Sequence, residues 1–460
     1  MTGRSACDFA VIGGGPAGMA AATEAVRLGL DTLLIDEQPE PGGQIYRAIE
    51  TVARARPGEL AMLGEEYAAG AALAAAFRAS GAGYEPGGIV WQVRDDGQVG
   101  VSQGGASRLV AARRVLVATG AMERPVPIPG WTIPGVMGAG AAQALLKASG
   151  LVPAGPAVLV GTGPLLYLIA AQLVRAGATI AGLLLTAPEP GIGAAMKALR
   201  GGRALFKGLA WIRELRAAGV PMLYGVSRPA IEGEGRAAAV SFTQDGRRQR
   251  IAASVVLLHN GVVPAAALGL AAGCRQSWDA AQHCWRPECD AWGATSRERI
   301  AVAGDGAGVL GATAAACRGR LAALDAAMRL GKIDAARRDR MARRDRAELA
   351  RQEALRGVLD RLFPPAAELL APAGGDDIVC RCEEITAAEL NDAVAAGNDD
   401  LNRVKAFTRC GMGPCQGRLC GPVAAEVVAR ALGRPVAEIG QLRVRLPVRP
   451  LPLAELAELT

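Results

Sequence analysis

Histidine occurs only twice in 460 residues, at positions 259 and 283, so any general-base chemistry through imidazole is confined to those two places. Aromatic side chains make up only 4 % of the chain, which removes the stacking platforms that single-stranded nucleic acid requires. No apolar stretch of about 18 residues is free of Gly, Pro or charge, and no transmembrane helix is expected. A strand-like run begins within seven residues of the start, leaving no room for the charged and apolar regions of a signal peptide, so the expected compartment is the cytoplasm. There, ten cysteines are ligands or buried thiols sooner than disulfides. No C-x-x-C stands near the glycine-rich turns, which argues against dithiol redox chemistry. Nor is charge concentrated. The net +7 is spread along the chain, and the densest stretch, "RRDRMARRDR" (337–346), alternates in sign like a solvated helix face.

What is present is a half-apolar chain with 60 glycines, long enough for about three domains. "FAVIGGGPAGMAAATEAVRLGLDTLLIDE" (9–37) reads as strand, glycine turn, helix and strand. Its G-x-G-x-x-G comprises Gly13, Gly15 and Gly18, with Pro16 and Ala17 opening the helix. Gly13 permits the tight turn, Gly15 lets backbone approach a pyrophosphate, and Gly18 permits close helix–sheet packing. The helix N-terminus offers its free N–H groups to the anion. Asp36 stands where an acid hydrogen-bonds a ribose hydroxyl, with Glu37 a close competitor.

Three further pieces bear on which nucleotide is held. "PGGQIYR" (41–47) supplies Gly43, Gln44 and Arg47, "RRVLVATGAMERPVPIPG" (113–130) is a buried strand ending in Ala118, Thr119 and Gly120, and "RIAVAGDGAGVLGATAA" (299–315) carries Gly304 and Asp305. In this order the pieces resemble the two-dinucleotide-binding flavoproteins of the pyridine-nucleotide–disulfide reductase type. That resemblance implies FAD, with Asp305 on the ribitol and the following helix pointing at the flavin ring.

"GPAVLVGTGPLLYLIAAQLVRAGATIAGLLLTAPEP" (155–190) repeats the layout with Gly161 and Gly163, but Leu166 occupies the third glycine position. Its second strand ends at Thr186 without a ribose-binding acid or a nearby Arg for a 2′-phosphate. A retained fold with doubtful NAD(P) binding is expected.

After a charged helical stretch (333–362) and the linker-like "FPPAAELLAPAGGDD" (363–377), the chain places Cys380 and Cys382 one residue apart, then Cys410, Cys415 and Cys420 at five-residue intervals. Along a helix that interval turns by about 140°, so "RCGMGPCQGRLC" (409–420) is expected to be a loop. Thr386 and Glu389 form a capping box opening a helix over 387–396. Zinc sites usually pair cysteines across two to four residues, which the C-x-C fits poorly, whereas a [2Fe–2S] cluster is held by four thiolates and pairs naturally with a flavin. Five thiols compete for those four positions. The segment 378–437 resembles the bacterioferritin-associated-ferredoxin-like [2Fe–2S] domain, which implies Cys380, Cys382, Cys415 and Cys420 as ligands. From Cys382, Cys415 leaves 32 intervening residues and Cys410 only 27, making Cys410 the spare thiol or an alternative ligand.

Taken whole, the chain resembles the α subunits of hetero-oligomeric FAD-dependent amine dehydrogenases, a family spanning opine oxidase, D-hydroxyproline or proline dehydrogenase and hydrogen cyanide synthase assemblies. "CRCEEIT", "GMGPCQGRLCGP" and "VRLPVRPLPLAEL" carry the likeness outside the nucleotide motifs. It implies an α/β glutathione reductase-like fold with a small helical C-terminal domain. An FAD-binding domain is expected over 1–150 and 262–332, an NAD(P)-binding-like domain over 151–261, a helical segment and linker over 333–377, the cluster domain over 378–437 and an arm over 438–460. The arm, with "RVRLPVRPLPL" (443–453), is expected to be extended and to dock a partner. That partner would be a β subunit related to D-amino-acid oxidases with its own flavin. A small third subunit, and peripheral attachment to the inner membrane face through the complex, are compatible with it. No amine-oxidising constellation is identifiable in the chain, and the rival expectation is a self-sufficient NAD(P)H:acceptor reductase.

Overall fold

The computed structural model describes residues 4–189, 203–457 and 459. The chain builds most of one parallel-centred sheet, leaves to build a second, and returns to complete the first. Strand β1 (Ala6–Ile12), helix α1 (Pro16–Arg27) and β2 (Thr32–Asp36) form the opening unit, followed by β3 (Gly83–Pro86), β4 (Ile89–Val93), β5 (Gln98–Gln103) and the twelve-residue β6 (Ala106–Val117). Their order is β3-β2-β1-β6-β5-β4. β1 runs parallel to β2 and β6, and β6 runs antiparallel to β5. Every residue of β2 is buried, as a central strand covered on both faces requires.

The second sheet takes β7 (Val136–Gly138), helix α2 (Ala139–Ser149), β8 (Ala157–Thr162), helix α3 (Pro164–Arg175), β9 (Ile180–Leu185), β10 (Met222–Tyr224) and β11 (Val255–Asn260). Its order is β10-β9-β8-β11-β7, all parallel. The pairing of Val136–Gly138 with Val256–Leu258 draws this part of the chain into the second unit, which begins at Glu123 where the motif reading put the change at 150. A local motif shows a strand, but not the distant strand it will pair with.

β12 (Ile300–Val302) then returns to the first sheet and runs parallel to residues 115–117 of β6, on the edge that β5 uses over residues 106–111. Helix α4 (Ala312–Arg329) packs on α1 so closely that a Cβ at Gly319 would lie 2.1 Å from the Ala17 carbonyl oxygen. Helix α5 (Ala335–Leu362) is more than the solvated helix expected from its charges. Asp345 accepts from the Arg320 guanidinium at 2.5 and 3.0 Å, Arg338 bonds Asp325 at 3.2 Å, and the Arg338 and Arg346 guanidiniums lie 4.0 and 4.2 Å from the Trp292 ring centre. Alternating charge gave one face to water, and the other to these pairs.

The C-terminal segment is likewise engaged with its own chain. Val448 is buried and its N–H donates to the Trp91 carbonyl at 3.0 Å, Arg449 pairs with Glu37 at 2.5 Å, and the buried Glu455 accepts from Ser102 and Ser107. The 443–452 stretch is without helix or strand, as expected of an extended arm, and is held to its own chain at these points.

The thiol-bearing part consists of a short hairpin, β13 (Ile378–Cys380) with β14 (Ile385–Thr386), and helices α6 (Ala387–Ala395), α7 (Leu401–Thr408) and α8 (Cys420–Leu432). Leu390, Val379, Leu401, Val404, Val423 and Val428 make its core. The expected capping box is present: the Thr386 hydroxyl accepts from the Glu389 N–H at 3.3 Å, and the Glu389 carboxylate accepts from the Thr386 N–H at 2.8 Å. Thr386→Ala should lower stability by about 1 kcal/mol, readable as a shifted denaturant midpoint with unchanged slope.

Candidate functional site

The first glycine turn lies at the carboxyl ends of β1 and β6, where open parallel sheets bind their ligands. Gly13 has φ +106°, and a Cβ there would lie 2.6 Å from the Ala118 carbonyl. At Gly18 it would lie 1.8 Å from the Gly13 carbonyl. Helix α1 starts at Pro16 after Gly15, with no side chain capping it, so its first N–H groups remain for an anion. The loop carrying Gly43 comes so near that a Cβ on Gly43 would meet the Gly15 Cα at 2.8 Å. Asp36 is buried at the end of β2, and its carboxylate accepts from the N–H groups of Gly14 at 2.8 Å and Gln38 at 3.0 Å. Burial nonetheless lifts its pKa above the ordinary carboxylate value. Glu37, the competing acid, turns outward to Arg449. Arg47 bridges the side-chain oxygens of Gln38 at 2.5 Å and Gln44 at 3.1 Å, and the Thr119 hydroxyl donates to Ala265 O at 3.0 Å beside Gly120. Asp305 follows Gly304, and its Oδ1 accepts from the N–H groups of both Leu310 and Gly311 at 2.9 Å, just before α4. A pyrophosphate fits this cradle, because only glycine leaves room at its turn and uncapped helix N–H groups face it.

In the second turn, Gly161 and Gly163 again take positive φ, and the Leu166 side chain is fully buried in the first turn of α3. The buried His259 lies behind this turn, its Nδ1 2.7 Å from Glu123 Oε1, and the Glu123 carboxylate also accepts from the Gly140 N–H at the start of α2. This histidine is held in a structural network, while His283 stands edge-on to Trp278.

All five C-terminal thiols come together. Cys380 ends β13, Cys410 follows α7, and Cys420 is the first residue of α8; their sulfurs lie within 4.8 Å of one another and all three are buried. The stretch 409–419 is irregular as its spacing demands, with Arg409, Gly411, Gln416 and Gly417 at positive φ. Cys382, at the exposed tip of the hairpin, hydrogen-bonds Cys415, which in turn bonds Cys420. Hydrogen bonds from Cys410 and Cys420 draw the Cys380 thiol far below its ordinary range, helped by the N–H groups of Gly411 and Glu383. The bond from Cys420 lowers Cys415 to about 5, with the N–H groups of Leu419 and Gly417 assisting, and donation to Cys380 holds Cys410 up at about 12. Thiols gathered this way, with backbone N–H groups aimed at the sulfurs of Cys380 and Cys415, form a soft, all-sulfur donor set suited to a metal.

Residues 7–331 match the pyridine nucleotide-disulphide oxidoreductase family. The chain belongs to it. Within this flavoprotein family the chain is 44 % identical to the A-subunit of opine oxidase from Agrobacterium tumefaciens over 98 % of its own length and 92 % of the relative's. It is 34 % identical to hydrogen cyanide synthase subunit HcnB of Pseudomonas aeruginosa, over 96 % of this chain and 97 % of that one. Residues 375–459 match the sarcosine oxidase A3 domain. Among solved structures, L-proline dehydrogenase from P. horikoshii superposes with a TM-score of 0.71 at 20 % identity, covering 99 % of this chain and 80 % of that one, which is a likeness of fold. No helix among the described residues is long and apolar enough to cross a membrane.

Beyond the residues the motifs named, this flavoprotein relies on three that local pattern did not single out. The Arg318 guanidinium braces the Gly304–Gly308 turn through both its carbonyls, at 3.2 and 2.6 Å. Trp131 donates from its indole nitrogen to the Ile378 carbonyl at 2.7 Å and carries the Arg381 guanidinium 5.2 Å from its ring centre, fixing the hairpin that bears Cys380 and Cys382. Asn260 makes two bonds with the backbone of Ala366. The last two act across more than 100 residues of chain, and no nearby residue announces them.

Proposed function

We propose that this chain is the electron-carrying α subunit of a hetero-oligomeric flavin dehydrogenase that oxidises a CH–NH donor: an amine, an opine such as D-octopine or nopaline, or a hydroxyproline-like imino acid. The carbon–nitrogen bond is oxidised at a β subunit related to D-amino-acid oxidases, with its own flavin. The convergence of five thiols in the C-terminal part of a flavoprotein is the observation that carries the reading, and the full-length likeness to an opine oxidase polypeptide supports it. Its place is the cytoplasm, where reduced thiols persist.

The glycine turn of α1 would seat the pyrophosphate of FAD, the Asp36 carboxylate would accept from the adenosine ribose, and Asp305, whose Oδ1 is committed to the loop, would hold the ribitol. Gly43, Gln44 and Arg47 close the cradle from the second loop, with Thr119 and Gly120 on the sheet side. Cys380, Cys382, Cys415 and Cys420 would hold a [2Fe–2S] cluster, with the Gly411 and Glu383 N–H groups on the Cys380 sulfur and those of Leu419 and Gly417 on that of Cys415. When bound, FAD exchanges two electrons together or singly and the cluster exchanges one, so the pair converts between the two kinds of carrier. The buried Leu166 in the second turn argues against a nicotinamide entry route.

Anaerobically purified chain should show flavin absorbance, equal iron and acid-labile sulfide, and an EPR signal on reduction. It should oxidise little amine alone and regain turnover with its co-purifying flavoprotein. Full-rate opine oxidation by the isolated chain, or zinc in place of iron, would sink the assignment. Rapid bleaching of the flavin by NADH or NADPH would instead establish the self-sufficient reductase, the reading favoured by the retained Gly161 and Gly163.

A further inference from the structure

Five thiols surround a site that needs four, and we infer that the surplus lies at one end only. The buried end has three interchangeable thiols, Cys380, Cys410 and Cys420, of which any two suffice, whereas the outer end has Cys382 and Cys415 and no reserve. This rests on the cluster reading above and specifies which residues serve it.

Sulfur spacing separates the two ends. Two sulfurs bound to one tetrahedral metal through bonds of about 2.3 Å lie about 3.8 Å apart. The sulfurs of Cys380, Cys410 and Cys420 are mutually within 4.8 Å, so each of the three possible pairs is within about 1 Å of that spacing. They also come from separate elements: the end of β13, the stretch just after α7 and the first residue of α8. Each element has its own anchor in the shared core, Val379, Val404 and Val423 respectively. Removing one thiol therefore leaves the other two in place. The outer pair has no third thiol of its own: Cys420, which bonds Cys415, already belongs to the buried end. Cys382 sits at an exposed hairpin tip, and the 409–419 loop presses on it so closely that a Cβ at Gly413 would lie 2.3 Å from the Cys382 Cβ. Cys415 is the thiol that this loop delivers to it.

Spacing along the chain points to Cys410 as a spare, and the structure gives the spare a position. A residue five before Cys415 and ten before Cys420 can replace Cys420, because the loop folds back and brings the start of α8 beside the end of α7. Binding releases the proton of whichever thiol is recruited, as metal binding to thiols requires.

The test uses the full-length chain, purified without oxygen, with alanine at each of the five cysteines and at the pairs Cys410/Cys420 and Cys380/Cys410. Iron and sulfide are measured per bound flavin, with EPR on the reduced protein. Single variants at 380, 410 and 420 should keep iron within about twofold of the parent, while either double variant, and Cys382→Ala or Cys415→Ala alone, should lose about tenfold. Flavin content and melting temperature report folding, and isosteric serine variants replace any alanine variant that does not fold. An unchanged EPR spectrum in Cys410→Ala with a displaced one in Cys420→Ala would identify Cys410 as the recruit. Loss of iron from any single variant at 380, 410 or 420, or its retention in the Cys410/Cys420 double variant, would overturn the inference. A parent protein without iron would overturn the cluster reading instead.

Discussion

Gly18→Ala should yield a chain that retains no flavin. The added methyl would lie 1.8 Å from the Gly13 carbonyl oxygen, a contact no Cβ makes, so either the turn opens or α1 moves away from the sheet. Movement is blocked from behind, because Gly319 brings α4 against the Ala17 backbone with no space for even one carbon. The turn must give way, and with it the alignment of the α1 N–H groups on the pyrophosphate. Overpacking at such a junction costs about 3 kcal/mol, and loss of the ligand removes the stability that its binding contributes. Absorbance at the flavin band after gel filtration and the melting temperature measure the two effects. A variant with full flavin and unchanged melting would show that the turn is not the cradle.

Leu166→Gly presents the opposite case, since it completes the written G-x-G-x-x-G of the second turn. It should not create a nicotinamide site, and it should destabilise the protein by about 4 kcal/mol. Leu166 is fully buried, so its removal leaves a leucine-sized void, and glycine in a helix adds its own penalty. The chain around it is adapted to the leucine, and the second strand, ending at Leu185, is still followed by Thr186, whose hydroxyl donates to the Gly161 carbonyl at 3.3 Å. Denaturant titration reads the loss of stability. Flavin reduction by NADH should be no faster than in the parent, and acceleration would mean that the leucine alone had closed the site.

These two positions show what can be read in advance. Gly18 and the Thr386–Glu389 cap are legible because turns and caps are made by residues a few positions apart, whose types are dictated by backbone angles and unpaired N–H groups. The identity of the outward acid is a matter of one residue, and pairing with Arg449, more than 400 positions away, turns Glu37 to the surface and leaves Asp36 facing the turn. The thiols are legible as a group because cysteine is concentrated there. Their arrangement is not, because the place of Cys410 depends on how α7 and α8 meet in the core. Alternating charge on α5 reads as solvation, and Trp292 together with Asp345 accounts for the difference.

The return of β12 to the edge of β6 sets an order on biosynthesis. Nearly two hundred residues separate the paired strands, so a nascent chain must carry an unfinished edge until residue 302 has emerged from the ribosome. The same chain ends by laying Val448 and Glu455 on strands made in its first quarter. Messages truncated before residue 443 would therefore release a polypeptide whose earliest sheet lacks its final cover.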